Sequence, residues 1–237
     1  MEQIAIGNIK VDVVLKNIKN IHLSVYPPSG RVHISAPLRM NLDTIRIYAI
    51  SKLSWIKSQQ NKFRAQVRET QRQYLNKESH YYLGKRYMLT VLEVDTTPLV
   101  VVKHKTIELY VKPRTSFEKK QKIIDDWYRN QLKELTIPIV EKWESVMGVS
   151  VNEIGVRKMK TKWGTCNNET KRIWLNLELA KKPFHCIEYI IVHELVHLLE
   201  RNHNERFLTY MDKFMPEWRT LRQELNRLPV SHVEWKY

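Results

Sequence analysis

Apolar and polar positions alternate through residues 9–36, with Ile9, Val11 and Val13, then Ile21, Leu23 and Val25, then Val32 and Ile34 in step. A period of two in β-branched residues predicts strands, and Pro27-Pro28-Ser29-Gly30 predicts the turn between the last two. The three runs read as a small antiparallel sheet. From Asn41 the period lengthens: Ile45, Ala49, Leu53, Ile56, Phe63 and Val67 fall on one face of a helix that Asn41 caps. Its other face carries Arg46, Lys52, Lys57, Lys62, Arg64 and Arg68. That face reads first as solvated, with a nucleic-acid contact as the alternative. Strand patterning returns over 80–112. Tyr81 to Tyr87 reads as a hairpin turning at Gly84, followed by Leu89, Val91 and Val94; Leu99–Val102 and Ile107–Val111 form a further pair.

Pro113 to Ser116 marks a boundary, dividing a β-rich N-terminal region with one amphipathic helix (1–112) from a C-terminal domain (113–237). Helical spacing of Ile124, Trp127, Leu132, Leu135, Ile139, Trp143 and Met147 predicts a helix over Phe117–Met147. Pro138 should kink or split it, and Gly148 should end it. Val149–Val156 reads as a strand. Trp163–Cys166 and Ile173–Leu179 read as a hairpin about Asn167-Asn168-Glu169-Thr170. Pro183 opens a helix through Glu200, Asn204 caps a short one ending before Pro216, and a last helix runs to about Leu228. No internal repeat is visible in the sequence. The fold class is α+β.

Composition narrows the function. With 43% hydrophobic residues in 237, the chain has material for a packed core. Two cysteines, Cys166 and Cys186, make no disulfide framework. Met1–Lys10 lacks a basic stretch leading into an apolar run, and Ile187–Leu199 is too short and polar to span a bilayer, so a cytoplasmic, non-membrane protein is expected. Forty Lys and Arg against 25 Asp and Glu leave a net +15, which favours anionic partners. Of these, 18 basic and 8 acidic residues lie in 1–112 and 22 and 17 in 113–237, so the excess sits mainly in the first region.

The chemistry is carried by His193-Glu194-Leu195-Val196-His197. Histidines at i and i+4 share one helical face and can bind one Zn²⁺, while Glu194, rotated about 100° away, can act as general base on the zinc-bound water. Zinc with an open coordination position brings the pKa of that water to about 7. Cys186 to Val192 is mostly apolar, so this helix should be buried. A third ligand is needed. His203 follows His193 by ten residues, the spacing of the extended motif H-E-x-x-H-x-x-G-x-x-H, although Glu200 stands where that motif has glycine. Asn202 is a candidate to make the turn in its place; Glu217 and Glu205 are alternative ligands.

Around the motif the sequence resembles the YgjP-like zinc metallopeptidases, relatives of the SprT-like proteases. The resemblance rests on Lys162-Trp163-Gly164-Thr165-Cys166, Ile173-Trp174-Leu175-Asn176, Pro183, Tyr189 to Leu198, Asn202-His203-Asn204 with Phe207, and Pro216, with Ser35-Ala36-Pro37 and Tyr82-Leu83-Gly84 toward the N-terminus. It covers roughly residues 21–228. It implies a zincin-like catalytic domain behind a β-rich region, with zinc held by His193, His197 and His203 and Glu194 as base. It also implies that the hairpin bearing Trp163, Gly164, Thr165 and Cys166 holds an extended substrate by strand addition. Those residues also fit plain core packing, and Cys166 has no Cys-x-x-Cys partner to mark it as a ligand or nucleophile.

The resemblance implies either proteolysis of a peptide or protein, or pyrophosphatase action on a nucleoside triphosphate (UTP to UMP and diphosphate). Arg157, Lys158, Lys160, Lys162, Lys171 and Arg172 would steer a nucleotide or nucleic acid if they faced the cleft. Histidine ligation suits zinc rather than Mg²⁺, which places the peptidase first. A third reading is a nucleic-acid-associated module with a structural or weakly active zinc site. Tyr210, Arg206 and His232 are the candidates for stabilising an oxyanion.

Overall fold

The computed structural model describes residues 2–26, 29–65, 69–70, 72–159 and 162–229. Those up to 65 form one compact unit and those from 69 onward another.

In the first unit, strands β1 (Glu2–Ile6), β2 (Ile9–Lys16), β3 (His22–Tyr26) and β4 (Arg31–Pro37) lie in the order β1-β2-β4-β3. The sheet is mixed, not antiparallel as the alternation suggested: β4 pairs with β3 antiparallel but with β2 parallel, Val11 opposite Val32 and Val13 opposite Ile34. Alternation reports which face is buried, and is silent on strand direction. The inner position of β4 explains why Val32, Ile34 and Ala36 are wholly buried. β1 precedes the alternating run at 9–36, and Gly7, at φ 58°, makes the tight turn that joins it to β2. The expected single helix is two, α1 (Leu42–Ser51) and α2 (Leu53–Ala65), separated at Lys52. Asn41 caps α1, its side chain accepting from the Thr44 N–H at 2.8 Å. Ile45, Ala49 and Ile56 enter the core with the sheet. Val67, Arg68 and Pro27-Pro28 lie outside the described residues.

The second unit opens with β5 (Ser79–Tyr82), β6 (Lys85–Glu93), β7 (Leu99–Val102) and β8 (Thr106–Val111), in the order β5-β6-β8-β7. This repeats the strand order and directions of the first sheet, a topological repeat that the sequence does not display. The boundary drawn at 112/113 falls inside this unit. Leu89, Ile107, Leu109 and Val111 share one core with Ile124, Tyr128 and Leu132 of α3 (Phe117–Met147), and the Tyr128 hydroxyl donates to the Tyr81 carbonyl at 2.7 Å. α3 is one helix through Pro138, not two. Proline removes one N–H and leaves the rest of the ladder to carry the turn. Gly148 ends it in the left-handed conformation, as its position suggested.

Next come β9 (Glu153–Arg157), β10 (Gly164–Asn167) and β11 (Arg172–Asn176), in the order β10-β11-β9, with β11 antiparallel to β10 and parallel to β9. The strand expected to reach Leu179 ends at Asn176, and a 3₁₀ turn follows over Leu177–Lys181. Asn167 closes the β10–β11 turn by accepting from the N–H groups of Glu169 and Thr170. Helices α4 (Phe184–Val196), α5 (Glu205–Phe214) and α6 (Trp218–Arg227) complete the unit. The Leu83-Gly84 turn, both residues at positive φ, bonds the carbonyls of Ala180 and Lys181 just before α4, and a Cβ on Gly84 would lie 2.7 Å from Pro183. That hairpin therefore fixes where α4 starts. Among the described residues no helix is long and apolar enough to cross a membrane.

Candidate active site

α4 is buried on most of its circumference: Cys186, Ile187, Ile191, Val192, Leu195 and Val196 are at most 1% exposed. It ends at Val196, four residues sooner than expected, with His197 as its C-cap. The chain turns through short-range bonds, Leu198 N–H to Leu195 O and Leu199 N–H to Val196 O, and the Glu200 carboxylate accepts from Asn202 N–H at 3.1 Å. Neither Glu200 nor Asn202 has positive φ, so the turn needs no glycine at 200 and no left-handed Asn202. Asn204 then caps α5, bonding Phe207 N–H at 3.0 Å, and His203 arrives beside α4.

One ring nitrogen from each of His193, His197 and His203 lies within 4.8 Å of the other two. Nε2 of His193 and Nε2 of His203 are 3.0 Å apart. Phe207, fully buried, packs on all three rings at centroid distances of 5.0, 4.8 and 4.6 Å. His197 turns Nδ1 to the Glu200 carbonyl at 3.2 Å, which leaves its Nε2 for a ligand, and the Asn168 amide donates to the His197 carbonyl. Burial, then the neighbouring histidines, pushes the His193 pKa down to about 3; burial also lowers those of His197 and His203. The three imidazoles are thus neutral, their lone pairs converging with no carboxylate among them, and this donor set fits a borderline-soft divalent cation. Glu205 and Glu217, the alternative third ligands, are not in the cluster. A second donor group, His185, Cys186 and Glu224, contains a His185–Glu224 contact of 2.9 Å between α4 and α6 and a buried thiol pushed up to about 12.

Glu194, 4% exposed, points toward β10. A Cβ on Gly164 would sit 2.5 Å from its Oε1, so only glycine leaves room for the carboxylate there. Burial raises the Glu194 pKa to about 8, partly offset by Lys162. The approach to β10 is fixed by Asn176, to which no motif in the sequence assigns a role. Its amide donates to the carbonyls of Met159 (2.9 Å) and Lys162 (2.8 Å), and its N–H donates to Trp163 O.

An open cavity of about 800 Å³ joins these parts. Trp163, Gly164, Thr165 and Cys166 line it together with His193, Glu194, His197 and His203. Cys166 is half-buried and its thiol is pushed up to about 12 by burial and by Glu194, which keeps it protonated rather than nucleophilic. Of the basic run, only Lys162 among the described residues reaches the cavity. Arg172 pairs with Glu153, Lys158 pairs with Asp125, and Arg157 stacks on Trp174; Lys160 lies outside the described residues. Arg201 and Arg222, which no motif marks, line the cavity instead. Arg206 and Tyr210 bond each other on α5 and do not line it; His232 lies outside the described residues.

The family model for the YgjP-like metallopeptidase domain matches residues 19–228. The chain belongs to the YgjP-like family. It is accordingly a metallopeptidase by family. No curated protein matches this YgjP-like chain. Two solved structures align with 40% of it. One is the metallopeptidase zymogen of Pyrococcus abyssi abylysin, at 19% identity and a TM-score of 0.35 over 90% of that chain. The other is the metallopeptidase zymogen of Methanocaldococcus jannaschii jannalysin, at 23% identity and a TM-score of 0.33 over 92% of that chain.

Proposed function

We propose that this YgjP-like protein is a zinc peptidase in which His193, His197 and His203 hold the ion and Glu194 is the general base. The convergence of three neutral imidazoles beside a buried carboxylate supports this reading most directly. Zinc held by His193, His197 and His203 would supply Lewis-acid polarisation and make a water more acidic. Burial alone disfavours the charged form of Glu194, and a cation held by the three histidines beside it would favour the carboxylate; as carboxylate it would take a proton from the attacking water and pass it to the departing amine. The space at Gly164 lets the carboxylate take up its position close against β10. Among the described residues β10 pairs with β11 alone and lines the cavity, so an extended peptide can add along Gly164–Asn167, with Trp163, Thr165 and Cys166 flanking it. Two unpaired thiols suit a reducing compartment such as the cytoplasm.

One observation favours a second reading, a nucleoside-triphosphate pyrophosphatase. Lys162, Arg201 and Arg222 line the same cavity, and among the described residues none has a carboxylate partner. The test is a parallel assay of the zinc-loaded wild type and Glu194→Gln on unfolded protein and on UTP. Glu194-dependent peptide hydrolysis supports the peptidase; Glu194-dependent diphosphate release with no peptide hydrolysis replaces it by the second reading.

A further inference from the structure

The first unit carries a cavity of its own, about 630 Å³, that plays no part in the chemistry above. It is bounded by the β1–β2 turn, by Ser29-Gly30-Arg31 and by one stripe of α2, the residues Lys57, Gln60, Asn61 and Arg64. Those positions are i, i+3, i+4 and i+7, so a single helical face supplies them. The stripe is held against the sheet. Gln60 donates to the Gly30 carbonyl at 2.8 Å, and a Cβ on Gly30 would lie 2.9 Å from Gln60 Cγ.

The charge in this cavity is one-sided. Lys10, Arg31, Lys57 and Arg64 line it against one acid, Asp12. Asp12 is buried and already engaged, by Arg31 Nε at 2.5 Å and the Gln3 amide at 2.9 Å. Among the described residues, Lys10, Lys57 and Arg64 have no ion pair. The surrounding unit is basic too, with ten Lys and Arg against three Asp and Glu in residues 2–65. Lys57 and Arg64 are seven residues apart, about 10 Å along the helix axis at 1.5 Å per residue. That span exceeds one phosphate and suits a short chain of them. The remaining lining is largely amide and hydroxyl, with Ile9 the sole large apolar residue and no aromatic, so the surface offers a base or an apolar peptide nothing to stack on.

We infer that this cavity is a binding site for a compact polyphosphate group, either inorganic or the tail of a nucleotide, gripped by Lys10, Lys57 and Arg64. The cations supply point charges and a planar fork for phosphate oxygens, and the neighbouring amides donate the remaining hydrogen bonds.

Calorimetric titration of the full-length protein with inorganic tripolyphosphate tests this. One site per chain is expected, with affinity falling at least tenfold in Lys57→Gln/Arg64→Gln and also in Asn61→Asp, which keeps every cation but adds a negative charge to the stripe. Arg201→Gln/Arg222→Gln, in the other cavity, should bind within twofold of wild type. A nucleoside triphosphate binding as well as tripolyphosphate marks the phosphate chain as the ligand; a markedly tighter one assigns the site to a nucleotide. Absence of binding, loss in the Arg201/Arg222 pair instead, or binding of an oligonucleotide where tripolyphosphate fails would overturn the inference.

Discussion

Gly164 and Glu194 are packed so closely that a methyl group on the first would stand 2.5 Å from a carboxylate oxygen of the second. The backbone of β10 and the side chain from α4 therefore share one small space, and the glycine is a condition for the carboxylate's position. Gly164→Ala is expected to displace Glu194, lowering kcat about 10²-fold while zinc content stays near one per chain. Metal analysis beside steady-state kinetics checks this; a parallel loss of metal would mean that the histidine cluster moved as well.

Asn176 ties the segment before β10 to β11 through the carbonyls of Met159 and Lys162. Asn176→Ala would leave those acceptors without their side-chain donor, at a cost of about 1–3 kcal/mol. Urea denaturation should show the loss, with an unchanged slope if the native state stays compact.

Phe207 supports His193, His197 and His203 at once. Phe207→Ala should cost about 3–5 kcal/mol of stability and weaken zinc binding by about 10–100-fold, as loss of supporting contacts around metal ligands does. Phe207→Leu should recover most of the stability. Competition with a chromophoric chelator reads the affinity directly.

The protonation of His193 sets an acid limit for the metal-free protein. Its folded pKa of about 3 lies below the ordinary 6.5, so the unfolded chain takes up a proton that the folded chain refuses. This contribution is fully present above pH 6.5 and is lost progressively as pH falls toward 3. Thermal melts of chelated protein should show stability rising with pH across that window, with a shallower slope for His193→Gln. Equal slopes would exclude His193 as the source.

A good share of this was legible in the residues. The 3.6 period of α3 and its end at Gly148, the cap at Asn41 and the Asn167 turn depend on neighbours within a few positions, and the structure has them where the sequence suggests. The same holds for His193 and His197, whose shared helical face follows from their spacing. Strand direction and the division into units depend on contacts between distant segments, which the local pattern does not carry. Alternation could not give the parallel pairing of β2 with β4, and Pro-Arg-Thr-Ser at 113–116 looks like a boundary although the residues of β8 and α3 on either side of it share one core.

Spacing alone puts His193 and His197 on one face of a helix with Glu194 turned aside, because helical periodicity is set by bonds between near neighbours. Packing between distant segments brings His203 to the cluster without a glycine turn, makes Gly164 the room for Glu194, and, among the described residues, leaves Arg201 and Arg222 with Lys162 as the lysines and arginines that line the cleft. Those outcomes depend on which surfaces of α4, α5, α6 and β10 meet, and that is settled by burial of the whole apolar core rather than by any one stretch of chain.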